Sequence, residues 1–270
     1  MLRIEAALND IGVLDCLARQ DSPIHRLDPR AKVLVILVFL VTAVSYGKYE
    51  VAALTPLFIF PVVLLAVGKV PVGVLVRYIL LACPFAIFVG IFNPLLDHQN
   101  MIRFGTIDIS GGWVSFASII FRFVLTVSAA MILIATTGFN TICMALERLG
   151  VPRLMVTQFL LLYRYLFLLS QEAGRMTRAY SLRAVAGRGL PIRIWGSLVG
   201  HLLLRAYNRG QRIHCAMLCR GFTGDMPARQ TLQFTAVDAI FIIGWLAFFA
   251  LARFGDLPQR IGDLLMSLTS

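Results

Sequence analysis

Histidine and cysteine side chains lie one helical turn apart in the most basic part of the chain. His214, Cys215 and Cys219 are spaced so that a helix would bring them to neighbouring positions, where they could contact a transition metal. Such a site normally needs three or four ligands, and the other three histidines are dispersed along the sequence. We therefore expect these residues to serve packing, and we expect no metal or cofactor site in this chain.

Arginine is the second residue type that could do chemistry here. Arg183 and Arg220 each follow an apolar helical pattern and precede a small residue, Ala184 or Gly221. A planar guanidinium at a helix end can bind carboxylates or carbonyls of another protein through two parallel hydrogen bonds. The same helix ends could instead be solvated and contact anionic lipid, and the spacing fits both interpretations.

Catalytic motifs are missing from the sequence. It contains no HExxH, no GxSxG and no paired carboxylates within apolar segments, which are the features that an intramembrane hydrolase would need. It also contains no G-x-x-x-x-G-K-[ST] loop to bind nucleotide phosphates. We expect a non-enzymatic chain, so that any ATP hydrolysis belongs to partner subunits.

The composition indicates a polytopic membrane protein. The 270 residues are 59% hydrophobic and 14% charged, with a mean hydropathy of +0.81, whereas a soluble domain has about a quarter of its residues charged. The apolar runs are long enough for a hydrocarbon core of about 30 Å, and residues 97–112 between two of them fit a short hairpin. The predicted spans are 31–46, 51–67, 78–96, 113–137 and 234–252.

The positive charge is concentrated in one region. Residues 139–233 hold 13 arginines and three acidic residues, 13 − 3 = +10 of a formal net charge of +11. The positive-inside rule places this block and the N-terminus in the cytoplasm of a plasma (inner) membrane protein, and five spans then place the C-terminus outside. The arginines alternate with apolar helix positions and no nucleic-acid-binding module is recognisable, so we expect no nucleic-acid partner.

The remaining signals argue against a secreted protein. Five cysteines, an odd number, are scattered between apolar and basic segments and do not form a disulfide framework. Residues 1–32 are amphipathic and lack a continuous apolar region, so we expect no cleavable signal peptide there.

The apolar stretch 154–170 has two interpretations. Gln158 and Arg164 lie within it and would be costly in hydrocarbon, so we favour a long helix, starting near residue 152, that packs its apolar side against a partner protein. A sixth span is the alternative. We expect Gly187–Pro191 to break this helix and Gly221 to take the left-handed position after the next one. The predicted packing residues are Leu160, Leu161, Tyr165 and Leu168.

Arg122 is a charged residue inside the fourth predicted span. A charge in a membrane segment is usually paired and faces protein or water. The candidates for its partner are Asp97, Asp238 and the carbonyl groups of a helix end. We expect it to fix packing; a place on a substrate path is the alternative.

Several motifs together resemble those of a known family. IHRLDPRAKVL near the start, the basic helical region after the fourth span and its two arginine motifs are similar to the transmembrane T component of energy-coupling-factor transporters, in the CbiQ type found in cobalt importers. The resemblance covers nearly the whole chain, and its most specific parts are LDPRAK (27–32) and AMLCRGFTGD (216–225).

In that family, two Ala-Arg-Ser or Ala-Arg-Gly motifs dock helices onto a pair of cytoplasmic ATPases. The resemblance assigns these roles to Leu182-Arg183-Ala184 and Cys219-Arg220-Gly221. The arginines match the family pattern, whereas Leu182 and Cys219 replace alanine and Ala184 replaces serine or glycine. Arg188-Gly189 is therefore a rival position for the first motif.

The resulting expectation is an all-α membrane protein with about five spans and a cytoplasmic coupling region. We predict a division into 1–138, 139–233 and 234–270. The resemblance implies a coupling subunit that joins two ATPase subunits to a substrate-binding membrane subunit within the lipid bilayer. It implies cobalt as the substrate, with nickel next, and the ion would bind the partner. A conventional permease that binds its own substrate is the alternative.

Overall fold

The computed structural model describes residues 15–47, 51–93, 100–104, 107–183, 192–224 and 234–254, together with Gly12. Two compact units make up the chain, one formed by Leu17–Ile142 with Leu232–Ser270 and the other by Met1–Cys16 with Cys143–Thr231. We call them the membrane unit and the basic unit. The elements in chain order are α1 (Pro29–Ser45), α2 (Val51–Leu54), a 3₁₀ turn (Thr55–Phe58), α3 (Ile59–Gly68), α4 (Val72–Gly90), β1 (Asn100–Phe104), β2 (Ile107–Ser110), α5 (Gly111–Thr137), α6 (Phe139–Arg148), α7 (Arg153–Arg183), α8 (Ile192–Cys219) and α9 (Ala236–Phe254).

Helices dominate the described residues, which confirms the predicted all-α membrane fold. Among these residues, four helices are long and apolar enough to cross a membrane, namely α4, α5, α7 and α9. α1 has 17 residues. Because α7 also qualifies by length and composition, the five-span count and the placement of the C-terminus outside stay predictions.

The second and third predicted spans differ from the structure. The run 51–67 is divided into α2, the 3₁₀ turn and α3, with Pro56 at the start of the turn and Pro61 in the first turn of α3. Proline has no N–H to donate, so it interrupts the helical hydrogen bonds. The third span starts at Val72, not at residue 78, because Pro71 at its N-cap starts the helix and Arg77 lies within it. The interval 68–77 between the second and third predicted spans was therefore too long.

The core of the membrane unit is aromatic. Phe60 of α3 stacks on Phe39 of α1, with ring centroids 4.5 Å apart, and meets Trp245 of α9 edge-on at 4.7 Å. Phe249 of α9 contacts both phenylalanines, and Leu125 of α5 is fully buried in the same cluster. Such offset and edge-on pairs add to the free energy of apolar burial. The cluster therefore holds α1, α3, α5 and α9 together.

One face of α4 is apolar and exposed. Leu80, Leu81 and Phe85 each have 70% or more of their surface exposed. An apolar face of this size on a helix of spanning length is suited to lipid.

A two-stranded hairpin precedes α5. β1 and β2 pair antiparallel, with Arg103 opposite Asp108 and Phe104 opposite Ile107, and a register shift lies between Asn100 and Ile102. The hairpin predicted within 97–112 is confirmed.

The basic unit is built on two long helices. α7 has 31 residues and is about 46 Å long at 1.5 Å per residue, and α8 has 28 residues. α7 starts one residue after Pro152, as predicted, and the preceding Gly150 has a φ of +107°. The predicted break at 187–191 lies outside the described residues.

Candidate functional site

Arg220 lies in a well-defined helix end. The amide of Phe222 donates to the carbonyl of Met217, and the amide of Gly221 donates to that of Leu218, each at 3.0 Å. These two bonds form a Schellman motif, in which the residue after the cap adopts a left-handed conformation. Gly221 has a φ of +76°, which confirms the predicted left-handed position. Arg220 is exposed beside it, where the negative end of the helix dipole stabilises a cation.

Arg183 is the last residue of α7 and is exposed. Leu182 beside it has 83% of its surface exposed. Ala184 and the rival Arg188-Gly189 lie outside the described residues. The register of the first motif therefore stays a prediction.

The two long helices run antiparallel and are joined by an ion cluster. Glu172 of α7 accepts a hydrogen bond from Arg205 of α8 and lies 2.9 Å from Arg175 of its own helix. It is the only acidic residue in the sequences of α7 and α8. One carboxylate therefore bridges two of the arginines and links the helices where they meet.

A groove of about 460 Å³ separates the first part of α7 from the last part of α8. Leu161 and Tyr165, two of the four residues predicted to pack against a partner, line it together with Ile213 and Met217. All four predicted residues (Leu160, Leu161, Tyr165, Leu168) are half-buried, and Arg164 is exposed. Their contact with a partner stays a prediction.

The sequence analysis missed several exposed apolar side chains of both helices. On α7, Leu154, Leu162 and Leu166 have 65%, 61% and 40% of their surface exposed. On α8, Val199, Leu203 and Tyr207 recur every four residues and are all more than half exposed. Helical periodicity alone identifies these stripes as apolar, but it does not show which stripe the partner helix covers.

The candidate metal ligands do not converge. His214 lines the groove, while Cys215 and Cys219 are exposed. Within the described part of the chain, no three His, Cys, Asp or Glu side chains come together.

Arg122 binds the end of a helix. Its Nη2 donates to the carbonyl of Tyr46 at 2.8 Å and to that of Gly47 at 2.6 Å, directly after α1. Of the three partners considered, the helix-end carbonyls are confirmed. Asp97 lies outside the described residues. Asp238 was the wrong partner, because its carboxylate is fully used elsewhere.

Asp238 is buried and serves two helices. Its Oδ2 accepts from the amide and hydroxyl of Thr235, at 2.8 and 2.6 Å, and so forms the carboxylate half of a capping box for α9. Its Oδ1 accepts from the amide of Asp28 at 2.7 Å, and Asp28 is itself the N-cap of α1. The spacing Thr235-x-x-Asp238 predicts the bond between the Asp238 carboxylate and the Thr235 amide, but nothing in it predicts the contact with Asp28.

The LDPRAK segment gains a structural role from this arrangement. Asp28 accepts from the amide of Arg30 at 2.8 Å, and Pro29 fits the first turn, where its missing N–H leaves no bond unmade. Lys32 is buried, donates to the carbonyl of Thr136 at 3.2 Å and is electrostatically attracted to Asp238 and Asp28. The segment thus ties the start of α1 to α9 and to the end of α5.

His25, just before this segment, is hydrogen-bonded at both ring nitrogens. Its Nε2 donates to the carbonyl of Leu17 at 3.1 Å, which leaves Nδ1 to accept from Ser22 at 2.6 Å. Partial burial lowers the pKa of His25 from its ordinary value, with nearby Lys32 adding to the effect.

The comparisons with known proteins agree with the resemblance seen in the sequence. Residues 20–232 match the family model CbiQ, described as cobalt transport protein. The energy-coupling factor transporter transmembrane protein EcfT of Bacillus subtilis is 25% identical over 250 residues, which cover 86% of this chain and 94% of the relative.

Two further relatives are more alike over shorter regions. The cobalt transport protein CbiQ of Rhodobacter capsulatus is 32% identical over 100 residues, 37% of this chain and 41% of the relative. The nickel permease LarQ of Lactiplantibacillus plantarum is 34% identical over 89 residues, 33% of each chain. The family match contains LDPRAK, Arg122, both long helices and both arginine motifs, and it spans well over half of the sequence. This membrane protein therefore belongs to the CbiQ family of cobalt transport proteins.

Proposed function

We propose that this chain is the coupling subunit of an energy-coupling-factor importer. It binds two cytoplasmic ATPase subunits through the helix ends at Arg183 and Arg220, and it binds a substrate-binding subunit within the membrane. Its role is mechanical, since ATP hydrolysis takes place on the partners. Similarity to EcfT and CbiQ supports the transporter assignment.

The observation that carries the proposal is the placement of the two arginines. Each is exposed at the C-terminal end of a long helix, and the helices run antiparallel. Antiparallel helices put their C-terminal ends at opposite ends of the pair. The basic unit therefore offers two separate docking points for two ATPase subunits.

The long helices can pass motion from the ATPases to the membrane partner. When ATP binding draws the two ATPases together, the docked helix ends move with them. A continuous helix transmits such a displacement along its length, and the Glu172 ion cluster couples α7 to α8. The exposed apolar residues of the pair, Leu162 and Leu203 among them, offer a surface for the substrate-binding subunit.

The substrate is proposed to be cobalt. The family description names cobalt, while LarQ is named a nickel permease, so nickel is the next candidate. In this proposal the ion binds the partner subunit. The conventional permease differs because it requires a metal site in this chain.

Co-expression with the ATPase and substrate-binding subunits tests the docking proposal. Replacing Arg183 or Arg220 by lysine should reduce metal uptake, because lysine cannot form the paired hydrogen bonds of a guanidinium. The double replacement by glutamate should abolish copurification of the ATPases. Arg209→Ala, an exposed arginine within α8, is the matched control and should leave both unchanged. Full ATPase binding and uptake by the double variant would refute the docking assignment.

Calorimetry on the purified chain separates the coupling subunit from the permease. The coupling proposal expects no stoichiometric binding of Co²⁺ or Ni²⁺. Tight binding that is lost on replacing Cys215 and Cys219 by serine would establish the permease interpretation instead.

A further inference from the structure

The turn that carries Arg220 is attached to the beginning of α7. Thr157, in the second turn of α7, is 5% exposed, and its hydroxyl donates to the carbonyl of Gly224 at 3.2 Å. Phe222 is half-buried and lines the groove together with Met217 and Tyr165. One hydrogen bond therefore connects the residues after α8 to α7, and one aromatic side chain of the same turn lines the groove between the two helices.

The backbone of this turn has a defined shape. Gly221 and Gly224 have φ values of +76° and +104°, a region that favours glycine. A Cβ at either position would meet open space, so backbone conformation, not room, accounts for both glycines. The turn from residue 220 to 224 is thus fixed by two left-handed residues and by the hydrogen bond of Gly224 to α7.

We infer that Thr157 and Phe222 form a latch that positions Arg220 relative to α7. This inference rests on the proposed function, in which Arg220 docks an ATPase. Ends of helices fray unless their last turn is held. On the C-terminal side of Arg220, Gly224 is hydrogen-bonded to α7 and Phe222 lines the groove beside that helix. With the latch closed, Arg220 is held near the start of α7, whereas Arg183 lies at the other end of the same helix.

The consequence is that a single helix sets the separation of the two docking arginines. Thr157 and Arg183 are separated along α7 by roughly 39 Å at 1.5 Å per residue. Without the latch, a displacement at Arg220 would be absorbed by bending of the final turn of α8. With it, the displacement reaches α7 directly. Thr157 and Phe222 are positioning residues, because they act through Arg220.

Distances between spin labels on the purified chain test the latch without any partner. One label is placed on the native Cys219 and the other on Ala179→Cys, an exposed position one turn before Arg183, with the other accessible cysteines replaced by serine.

Thr157→Val keeps the shape of the side chain but removes the donor, so the distance distribution between the two labels should broaden. Phe222→Ala should broaden it further. The conservative variants Thr157→Ser and Phe222→Leu should each keep the narrow distribution of the wild-type chain. Thr223→Val, at an exposed position in the same turn, should also leave the distribution unchanged. An unchanged distribution in both Thr157→Val and Phe222→Ala overturns the latch.

Transport measurements then test whether the latch serves coupling. In the assembled transporter, Thr157→Val should lower metal uptake per ATP hydrolysed by about three- to tenfold, the effect expected from one lost hydrogen bond, while the ATPases still copurify. Thr157→Ser should recover it. A broadened distribution with unchanged uptake per ATP would overturn the positioning role. Failure of the wild-type chain to copurify with ATPases would contradict the proposed function, and the label distances would still decide whether the latch exists.

Discussion

The carboxylate of Asp238 accepts a hydrogen bond from the backbone amide of Asp28, 210 residues earlier in the chain. The same carboxylate caps α9 through Thr235, so one side chain fixes the starts of two helices of the membrane unit. Asp238 is 1% exposed and Lys32, which it attracts, is 4% exposed. A buried charge that is fully hydrogen-bonded and paired is tolerated, whereas removal of one partner leaves the others unsatisfied.

Replacing Asp238 by asparagine should therefore destabilise the membrane unit. The amide oxygen can replace only one of the two carboxylate acceptors, and Lys32 loses a compensating charge. We expect a loss of about 1–3 kcal/mol in the free energy of unfolding, measured as a lower melting temperature in detergent. Asp21→Asn, which removes an exposed carboxylate, is the control. The double variant with Lys32→Met should be more stable than Asp238→Asn alone. If it is less stable, Lys32 does not depend on Asp238.

His25 should make the stability of the membrane unit depend on pH. Its pKa is lowered in the folded chain, so below about pH 6.5 the unfolded chain binds the proton more readily. The stability that neutral His25 contributes is therefore present above the ordinary pKa and is lost as the pH falls towards the folded-state pKa. Between pH 7.5 and 5.5 the wild-type melting temperature should fall more than that of His25→Gln. Equal decreases in both proteins would show that other groups carry the effect.

The sequence predicts the local features of this fold well, because helix caps and hydrophobic periodicity depend only on residues that are close together in the chain. Gly221 after α8 and the start of α7 after Pro152 follow from rules that involve only a few residues. The contacts that join distant segments were not predicted. Asp238 with Asp28 and Thr157 with Gly224 depend on how helices pack, and a single sequence carries no signal of which buried polar groups will meet.

The start of α4 shows a different kind of error. Residues 68–77 contain glycine, proline, lysine and arginine, a composition typical of a connector. In the structure Pro71 begins the helix, and Arg77 lies within it. A single arginine near a helix end is compatible with a membrane span, because its long side chain can extend towards the interface.

The location of the substrate-binding partner on α7 is the last prediction. The stretch 154–170 was predicted to pack an apolar side against that partner, and the structure divides its apolar residues into two groups. Leu161, Leu162 and Tyr165 line the groove towards α8, whereas Leu166 is 40% exposed and does not line it. A charge in the groove disturbs the helix pair itself, whereas a charge on the exposed side disturbs only what lies outside it.

Leu166→Glu should therefore release the substrate-binding subunit while the ATPases still copurify, since Arg183 and Arg220 are unchanged. Leu161→Glu and Tyr165→Glu should reduce partner binding as well, but with a lower melting temperature of the chain. Gln171→Glu, which adds the same charge at an exposed polar position of α7, is the control. Cysteines placed at positions 161, 162, 165 and 166 should crosslink to the partner, most strongly from 166. If all four react only with lipid-soluble probes and none with the partner, then α7 crosses the membrane as a sixth span. The C-terminus would then lie on the cytoplasmic side, because one additional span reverses the side on which α9 ends.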